Sequence, residues 1–110
     1  MELSFLTNQH LSDKQASALT NAAGEQEQIL FVVVSEISKN DRYEPTALAV
    51  TQHRVFTFDF AADHVVDTIA FDSIDEIFTK RMYGNGLIRV KKADGGVLDL
   101  FRFTYTVAAL

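Results

Sequence analysis

Basic side chains are concentrated in one short part of this chain, and they are its best candidates for binding a ligand. Residues 80–92 contain no acid but hold five of the ten basic residues, namely Lys80, Arg81, Arg89, Lys91 and Lys92. The preceding residues 55–79 contain six acids and neither Lys nor Arg. Ammonium and guanidinium groups bind carboxylates and phosphates. The pattern therefore predicts contact with an anionic partner: a lipid headgroup, an acidic protein surface or a nucleotide phosphate.

The arrangement of these charges depends on the turn at Asn85-Gly86, a dipeptide typical of tight hairpins. A two-residue turn there places Lys80 opposite Lys91, whereas a three-residue loop places Arg81 opposite Arg89. Either register puts like charges across from each other, which costs stability. We therefore expect an acidic neighbour beside this hairpin.

Neutralisation of the basic residues by the protein itself is the competing interpretation. A second turn is predicted at residues 94–96, and a three-residue loop there would pair Lys91 with Asp99. The acids of residues 59–76 are a further source of counter-charges. In this interpretation the basic cluster is partly neutralised within its own sheet and has a structural role.

Catalytic and metal-binding patterns are weak. The three histidines lie in the N-terminal arm and in two separate turns, without the spacing of a metal pair. Three acids lie together in a polar link, but a general-acid pair also needs a cleft that raises one pKa. The sequence predicts no catalytic, cofactor or metal site. The residues considered are His10, His53, His64, Asp72, Asp75 and Glu76.

Composition narrows the class of protein further. The chain has 110 residues, which suits one domain, and its net charge of -5 argues against a nucleic-acid binder. It has no cysteine, which excludes disulfide scaffolds and thiol chemistry. Its longest apolar run, residues 29–34, is far shorter than a membrane span, and residues 1–6 do not resemble a signal peptide. We expect a cytoplasmic location.

A helix is predicted over residues 12–23. Ser12 and Gln15 have the spacing of a capping box, and Gly24 suits the position just after the helix. The apolar stripe of this helix consists mostly of alanine, so we expect it to lie at the edge of the fold rather than in its core.

The remaining chain predicts strands. Residues 29–34 are β-branched and apolar on both faces, which indicates a strand covered on both sides. In residues 54–60 phenylalanine alternates with Val55, Thr57 and Asp59, which is the period of a strand. We expect Val65, Ile69 and Phe71 to face inward on the strand that follows. Seven antiparallel strands are predicted, at residues 29–34, 46–51, 54–60, 65–71, 78–83, 87–93 and 97–103.

These motifs together resemble a known family. They comprise Gly24-Glu25, the strand pair of residues 49–56, the stretch of residues 69–77 and the glycine hairpins at residues 84–90 and 94–96. This order is similar to that of the bacterial pleckstrin-homology-like (PH/GRAM-like) domains. The resemblance implies a seven-stranded antiparallel barrel of two near-orthogonal sheets, closed at one end by a C-terminal helix that starts near Thr104.

The resemblance also implies a domain organisation. Residues 1–24 form an N-terminal arm and helix, and residues 25–110 form the PH-like barrel, with the chain expected to continue past Leu110. The hairpin and the segment that ends the chain are similar to the PH-like part that precedes the membrane and ATPase parts of some bacterial ABC-type exporters.

The implied function is that of a non-catalytic interaction or regulatory module. We expect it to be a cytoplasmic accessory domain at the inner face of the membrane, binding the remainder of its own chain or a protein partner. The alternative is a stand-alone protein that self-associates through sheet edges or binds anionic membranes. Phosphoinositide recognition is not expected, because the loop of residues 36–44 carries two bases against three acids.

Overall fold

The computed structural model describes residues 5–40 and 42–104, which form one helix and two β-sheets. The first sheet has five strands and the second has three, and the neighbours in each sheet follow chain order. The strands of the first sheet are β1 (Leu6–Thr7), β2 (Ile29–Ile37), β3 (Tyr43–Thr51), β4 (Arg54–Asp59) and β5 (His64–Ala70), and helix α1 (Asp13–Ala23) lies between β1 and β2. The second sheet contains β6 (Ile74–Met82), β7 (Asn85–Lys92) and β8 (Val97–Thr104).

The mainly β class is confirmed, whereas the seven-stranded closed barrel is not. Strands β2–β8 overlap the seven predicted strands, although β2 and β3 also include residues 35–37 and 43–45, which lie between the predicted strands. The short strand β1 brings the number in the described residues to eight. It pairs in parallel with β2, and two residues are too few for a period-two pattern to reveal a strand. The chain leaves the first sheet through a single 3₁₀ turn at Phe71–Ser73, and β5 and β6 belong to different sheets, so the barrel is open there.

Helix α1 begins with the predicted capping box. The Gln15 amide donates to Ser12 Oγ at 3.1 Å, and the Ser12 amide donates to Gln15 Oε1 at 3.0 Å. Gly24 ends the helix with a φ of 87°, a value that favours glycine, and its amide donates to the Thr20 carbonyl. Local sequence signals therefore define both ends of this helix.

The expectation that α1 lies at the edge of the fold is wrong. Leu19 is 0% exposed and belongs to a core formed with Val32 and Val34 of β2 and with Phe56 and Phe58 of β4. The alanines bring the helix close to the sheet, and the large side chains of this core come from the sheet. The helix therefore packs on one face of the five-stranded sheet, over β2, β3 and β4.

A second core fills the space between the two sheets. Leu48 and Val55 of the first sheet belong to the same buried cluster as Val90, Leu100 and Phe101 of the second. The first sheet is therefore covered on both faces, by the helix and by the second sheet. This agrees only in part with the prediction that residues 29–34 are covered on both sides, because Val32 and Val34 are buried whereas Leu30 and Phe31 are 45% and 42% exposed.

Two local predictions around β5 and β6 need correction. Ile69 is buried as expected, but Val65 and Phe71 are exposed. A bulge in the pairing of β4 with β5 changes which side chains face inward at Val65, and Phe71 starts the 3₁₀ turn. Residues 74–77, predicted as a polar link, already belong to β6.

The C-terminal prediction lies mostly outside the described residues. Thr104, expected to cap a helix, is the last residue of β8, and the helix predicted after it lies beyond the part of the chain that the structure describes. The division of the chain after Gly24 stays a prediction. Within the described residues, no helix is long and apolar enough to cross a membrane.

Candidate functional site

Strands β6 and β7 form the basic hairpin, the surface on which all five predicted contact residues lie. Its turn is Tyr83-Gly84, because Met82 pairs with Asn85, and Gly84 has a φ of 79°. Both predicted registers are therefore wrong: Lys80 lies opposite Leu87, and Arg81 lies opposite Gly86.

Two contacts explain the observed register. It places Lys91 opposite Glu76, so opposite charges replace the like pairs of the predicted registers. It also places Gly86 inside the strand under the ring of Phe103, where a Cβ atom would lie 2.5 Å from Phe103 Cζ. Gly86 is therefore used for close packing rather than for the turn.

The bases nearer the middle of the basic hairpin are neutralised locally. Arg89 Nε lies 2.7 Å from Asp99 Oδ1, and its guanidinium lies over the ring of Phe78 at 5.9 Å from the ring centre. Lys91 Nζ lies 3.8 Å from Asp75 Oδ2. The expected pair of Lys91 with Asp99 is wrong, because Lys91 lies opposite Val97 in the pairing of β7 with β8. Partial neutralisation within the sheet is nevertheless confirmed.

Lys92 lies at the far end of the basic hairpin from its turn. It pairs with Ile74, and its amide donates to the Gly96 carbonyl at 2.8 Å in the turn that leads to β8. Its side chain is half-buried. The five predicted residues therefore do not form one cluster, and Lys92 belongs to the base of the hairpin.

Lys80 and Arg81, the tip pair, are the exposed cations at the other end. Neither forms an ion pair or side-chain hydrogen bond with any residue that the structure describes. Tyr83 beside them is fully exposed, and Ile77 on the same strand is 54% exposed. Strand β6 is the outer strand of its sheet, so its second edge has no strand partner among residues 5–40 and 42–104.

A cavity that the sequence did not reveal opens at one end of the space between the sheets. Its volume is about 220 Å³, and it is lined by β3, β4 and β5 on one side, by β8 on the other and by the loop between β2 and β3. Thr46, Asp59 and His64 lie opposite one another across β3, β4 and β5. The inward side chains of β4 change from Val55 through Thr57 to Asp59, so the cavity lies at the polar end of an apolar core.

The polar side chains that line this cavity differ in whether they have hydrogen-bond or ion-pair partners. Asp59 Oδ1 accepts bonds from the amides of Ala61 and Ala62 at 2.9 and 3.0 Å. Ser38 is 6% exposed, and its hydroxyl has no hydrogen-bond partner among the described residues. Glu44 is half-buried, and its carboxylate makes no ion pair or hydrogen bond within the described part of the chain.

The loop that covers the cavity is held from both sides. Lys39 Nζ lies 2.7 Å from Asp67 Oδ2 on β5. The Lys39 carbonyl accepts bonds from Arg102 Nη2 and Nε of β8, at 3.2 and 3.4 Å. These contacts join the two sheets across the loop and hold the loop over the cavity.

The alternation of β4 is the one sequence signal of this cavity. It shows Asp59 on the same side as Val55, but it does not show that Ser38 and Phe101 meet there. The three histidines are exposed, as expected for residues of turns and arms. Among the described residues, no group of three or more His, Asp or Glu could hold a metal ion.

Comparisons with known proteins identify no family for this chain. No family model, curated protein or solved structure matches the chain. The resemblance to PH-like domains therefore stays a prediction, and a functional assignment depends on the residues described above.

Proposed function

We propose that this chain is a non-catalytic interaction module that binds an extended, acidic segment of a protein partner along the outer edge of β6. The tip pair carries the proposal, because Lys80 and Arg81 are exposed cations without ion-pair partners in the described residues and lie on an outer strand. Extended segments bind such edges through backbone hydrogen bonds, and side chains provide the specificity.

The distribution of charge favours a short acidic segment over a broad anionic surface. Asp75 and Glu76 lie at the start of β6, and the tip pair lies near its end. A segment that runs antiparallel to β6, with acids at its own N-terminal end, places those acids beside the tip pair. A flat anionic membrane or a long nucleic acid would also approach the acids of this strongly negative chain.

The PH-like assignment is part of this proposal. Two packed sheets with antiparallel hairpins support it, although the N-terminal helix and the opening between β5 and β6 are departures. A near-orthogonal packing of the two sheets also stays part of the proposal. We also propose a cytoplasmic accessory role in a bacterial membrane-associated protein such as an ABC-type exporter. The bound segment then belongs either to the remainder of the same chain or to another protein.

Fluorescence anisotropy with a defined peptide tests the proposal. The probe is a labelled octapeptide of alternating threonine and valine with two glutamates at its N-terminal end, and the control peptide has two lysines instead. We expect the acidic peptide alone to bind, and Lys80→Glu to weaken binding about five-fold, as removing an exposed ion pair and adding a repulsion would. Lys14→Glu on the exposed face of α1 makes the same charge change elsewhere and should leave binding unchanged.

Equal binding of both peptides, or equal effects of Lys80→Glu and Lys14→Glu, would contradict the proposal. Vesicles of phosphatidylcholine with phosphatidylglycerol provide the other arm of the test. Co-sedimentation that depends on Lys80, without peptide binding, would indicate that the tip pair binds an anionic membrane rather than a protein segment. Concentration-dependent dimers that Lys80→Glu disrupts, without binding of the peptide, would identify the edge as a self-association surface instead.

A further inference from the structure

We propose that the cavity beneath the loop between β2 and β3 binds a small organic amine, with an ammonium group attached to an apolar body about the size of one ring. This site lies away from the tip pair of the basic hairpin and does not depend on the function proposed for it. The inference follows from one unsatisfied hydroxyl, two carboxylates and an apolar wall.

The Ser38 hydroxyl is the first observation. Its side chain is more than nine-tenths buried, it lines the cavity, and Ser38 Oγ has no hydrogen-bond partner among the described residues. Leaving a buried polar group unsatisfied costs about 1–3 kcal/mol. By contrast, the neighbouring Thr46 and Thr57 hydroxyls make hydrogen bonds within the protein. A bound ligand that hydrogen-bonds to Ser38 would remove this cost.

The charge of the lining selects a cation. Glu44 and Asp59 both line the cavity, and both are half-buried. The ammonium of Lys39, which also lines it, is already engaged by Asp67 at 2.7 Å. Neither carboxylate makes an ion pair within the described residues, although Asp59 Oδ1 accepts bonds from two backbone amides. Charge-assisted hydrogen bonds to an ammonium group are therefore the strong interactions available to them.

The remaining wall selects an organic cation over a metal ion. Val66, Leu100 and Phe101 line the same space and offer no ligand atoms for a metal. No metal-holding group of three or more His, Asp or Glu exists in the part of the chain that the structure describes. A volume of about 220 Å³ accommodates one ring with a short substituent, since a cavity of ~150 Å³ is large enough for benzene.

The site is preorganised, which lowers the cost of binding. The loop that carries Ser38 is held to β5 by Lys39 and Asp67, and to β8 by the bonds from Arg102 to the Lys39 carbonyl. Little ordering of the loop is then needed when a ligand enters. We therefore expect rapid, reversible binding without a change of fold.

Titration with benzylamine, followed by amide chemical shifts in NMR, tests the inference. Benzyl alcohol and benzoate serve as the neutral and anionic probes of the same shape. We expect shifts at the cavity residues, and binding of benzylamine about ten-fold tighter than that of benzyl alcohol. Benzoate should bind no better than the alcohol.

Isosteric variants locate the site. Glu44→Gln and Ser38→Ala should each weaken benzylamine binding about five-fold or more, because each removes a partner of the ammonium group. Neither change removes a side-chain hydrogen bond within the described part of the chain, because neither side chain makes one there. Glu36→Gln, the same change at an exposed position of β2, should have no effect.

Four results with the unsubstituted protein would overturn the inference. They are equal binding of benzylamine and benzyl alcohol, preferred binding of benzoate, shifts that map away from the cavity, and no binding up to the solubility limit of benzylamine. An unchanged affinity in both Glu44→Gln and Ser38→Ala would also overturn it. Because the peptide probe of the basic hairpin is a separate measurement, failure at one site does not affect the other.

Discussion

At the scale of single residues, Arg54 shows how one side chain holds the end of the helix on the sheet. Its Nε lies 2.7 Å from Glu27 Oε2, and its Nη2 donates to the carbonyls of Ala22 and Ala23 at 3.2 and 3.3 Å. Its guanidinium also lies 4.9 Å from the centre of the Phe56 ring. A cation at a helix C-terminus is favourable, and the planar group provides all these contacts at once.

Replacing Arg54 by lysine keeps the charge but removes most of these bonds. We expect Arg54→Lys to lower the free energy of unfolding by about 1–3 kcal/mol, measured by urea denaturation. Arg89→Lys is the control, because the pair of Arg89 with Asp99 is more exposed, and it should cost less than about 1 kcal/mol. Similar losses in the two variants would contradict the role of Arg54.

Gly86 is a second residue at which adding a single atom should change the stability of the fold. A Cβ atom there would lie 2.5 Å from Phe103 Cζ, so Gly86→Ala should destabilise the fold by about 1–3 kcal/mol through overpacking. At Gly96 a Cβ atom would meet the ends of the side chains of Asp94 and Lys92, which can move, so Gly96→Ala is the control and should cost less.

A double variant checks the cause. Phe103→Leu removes the ring that lies over Gly86, so Gly86→Ala should be less damaging in that background than in the natural sequence. The difference is measured as a coupling energy in a double-mutant cycle, from thermal or urea unfolding. A coupling of zero would show that the ring is not the cause of the loss.

At the scale of elements, the sequence predicts where the helix and strands lie along the chain better than it predicts which segments they contact. The capping box and Gly24 define the ends of α1, and period-two patterns locate the long strands. The N-terminal arm is less visible: the side-chain amide of Asn8 exchanges two hydrogen bonds with the backbone of Val34, at 2.8 and 3.1 Å. Together with β1, this contact covers part of the outer edge of β2, which protects an edge strand from other chains.

The role of α1 in the core gives a quantitative prediction. Leu19→Ala should lower the free energy of unfolding by about 2–5 kcal/mol, because Leu19 is fully buried between helix and sheet. Leu30→Ala makes the same change at a position that is 45% exposed, and it should cost about 1 kcal/mol or less. Urea denaturation of both variants measures the difference. Equal losses in the two variants would indicate that α1 lies at the edge of the fold and not in its core.

At the scale of the whole molecule, contacts between distant parts of the chain balance the uneven charge. The acidic residues that precede the basic hairpin provide Asp67 to Lys39 and Asp75 to Lys91. The uneven charge along the chain therefore becomes a set of pairs across strands and loops. Among the bases of the basic hairpin, the tip pair remains exposed without an ion pair in the described residues.

Arg102 is the buried cation that joins the sheets. It donates to Asn85 Oδ1 at 2.7 Å and to the Lys39 carbonyl in the loop of the other sheet. We expect Arg102→Lys to cost about 1–3 kcal/mol, because a single ammonium group cannot make all these bonds from a buried position. Arg81→Lys, at the exposed turn end, should change stability by less than about 0.5 kcal/mol.

Thermal unfolding of the two variants, followed by circular dichroism, makes this comparison. A loss in Arg81→Lys as large as that in Arg102→Lys would contradict the assigned role. Benzylamine binding should also weaken in Arg102→Lys, because the loop that covers the cavity would be held less firmly. Unchanged binding would show that Lys39 and Asp67 hold the loop without Arg102.

The sequence by itself determined the features that depend on a few neighbouring residues. These are the mainly β class, the capped helix, the positions of the long strands and the concentration of basic residues in one hairpin. Such features could be predicted because capping and strand periodicity are local effects.

Only the tertiary structure decided the features that depend on packing between distant segments. A bulge of one residue turned Val65 outward, the ring of Phe103 fixed the position of Gly86, and an alanine-rich helix became a core element because the sheet supplied the large side chains. The cavity combines Ser38, Asp59 and Phe101, which the chain separates widely. Their meeting follows from the way two sheets pack, which no local pattern specifies.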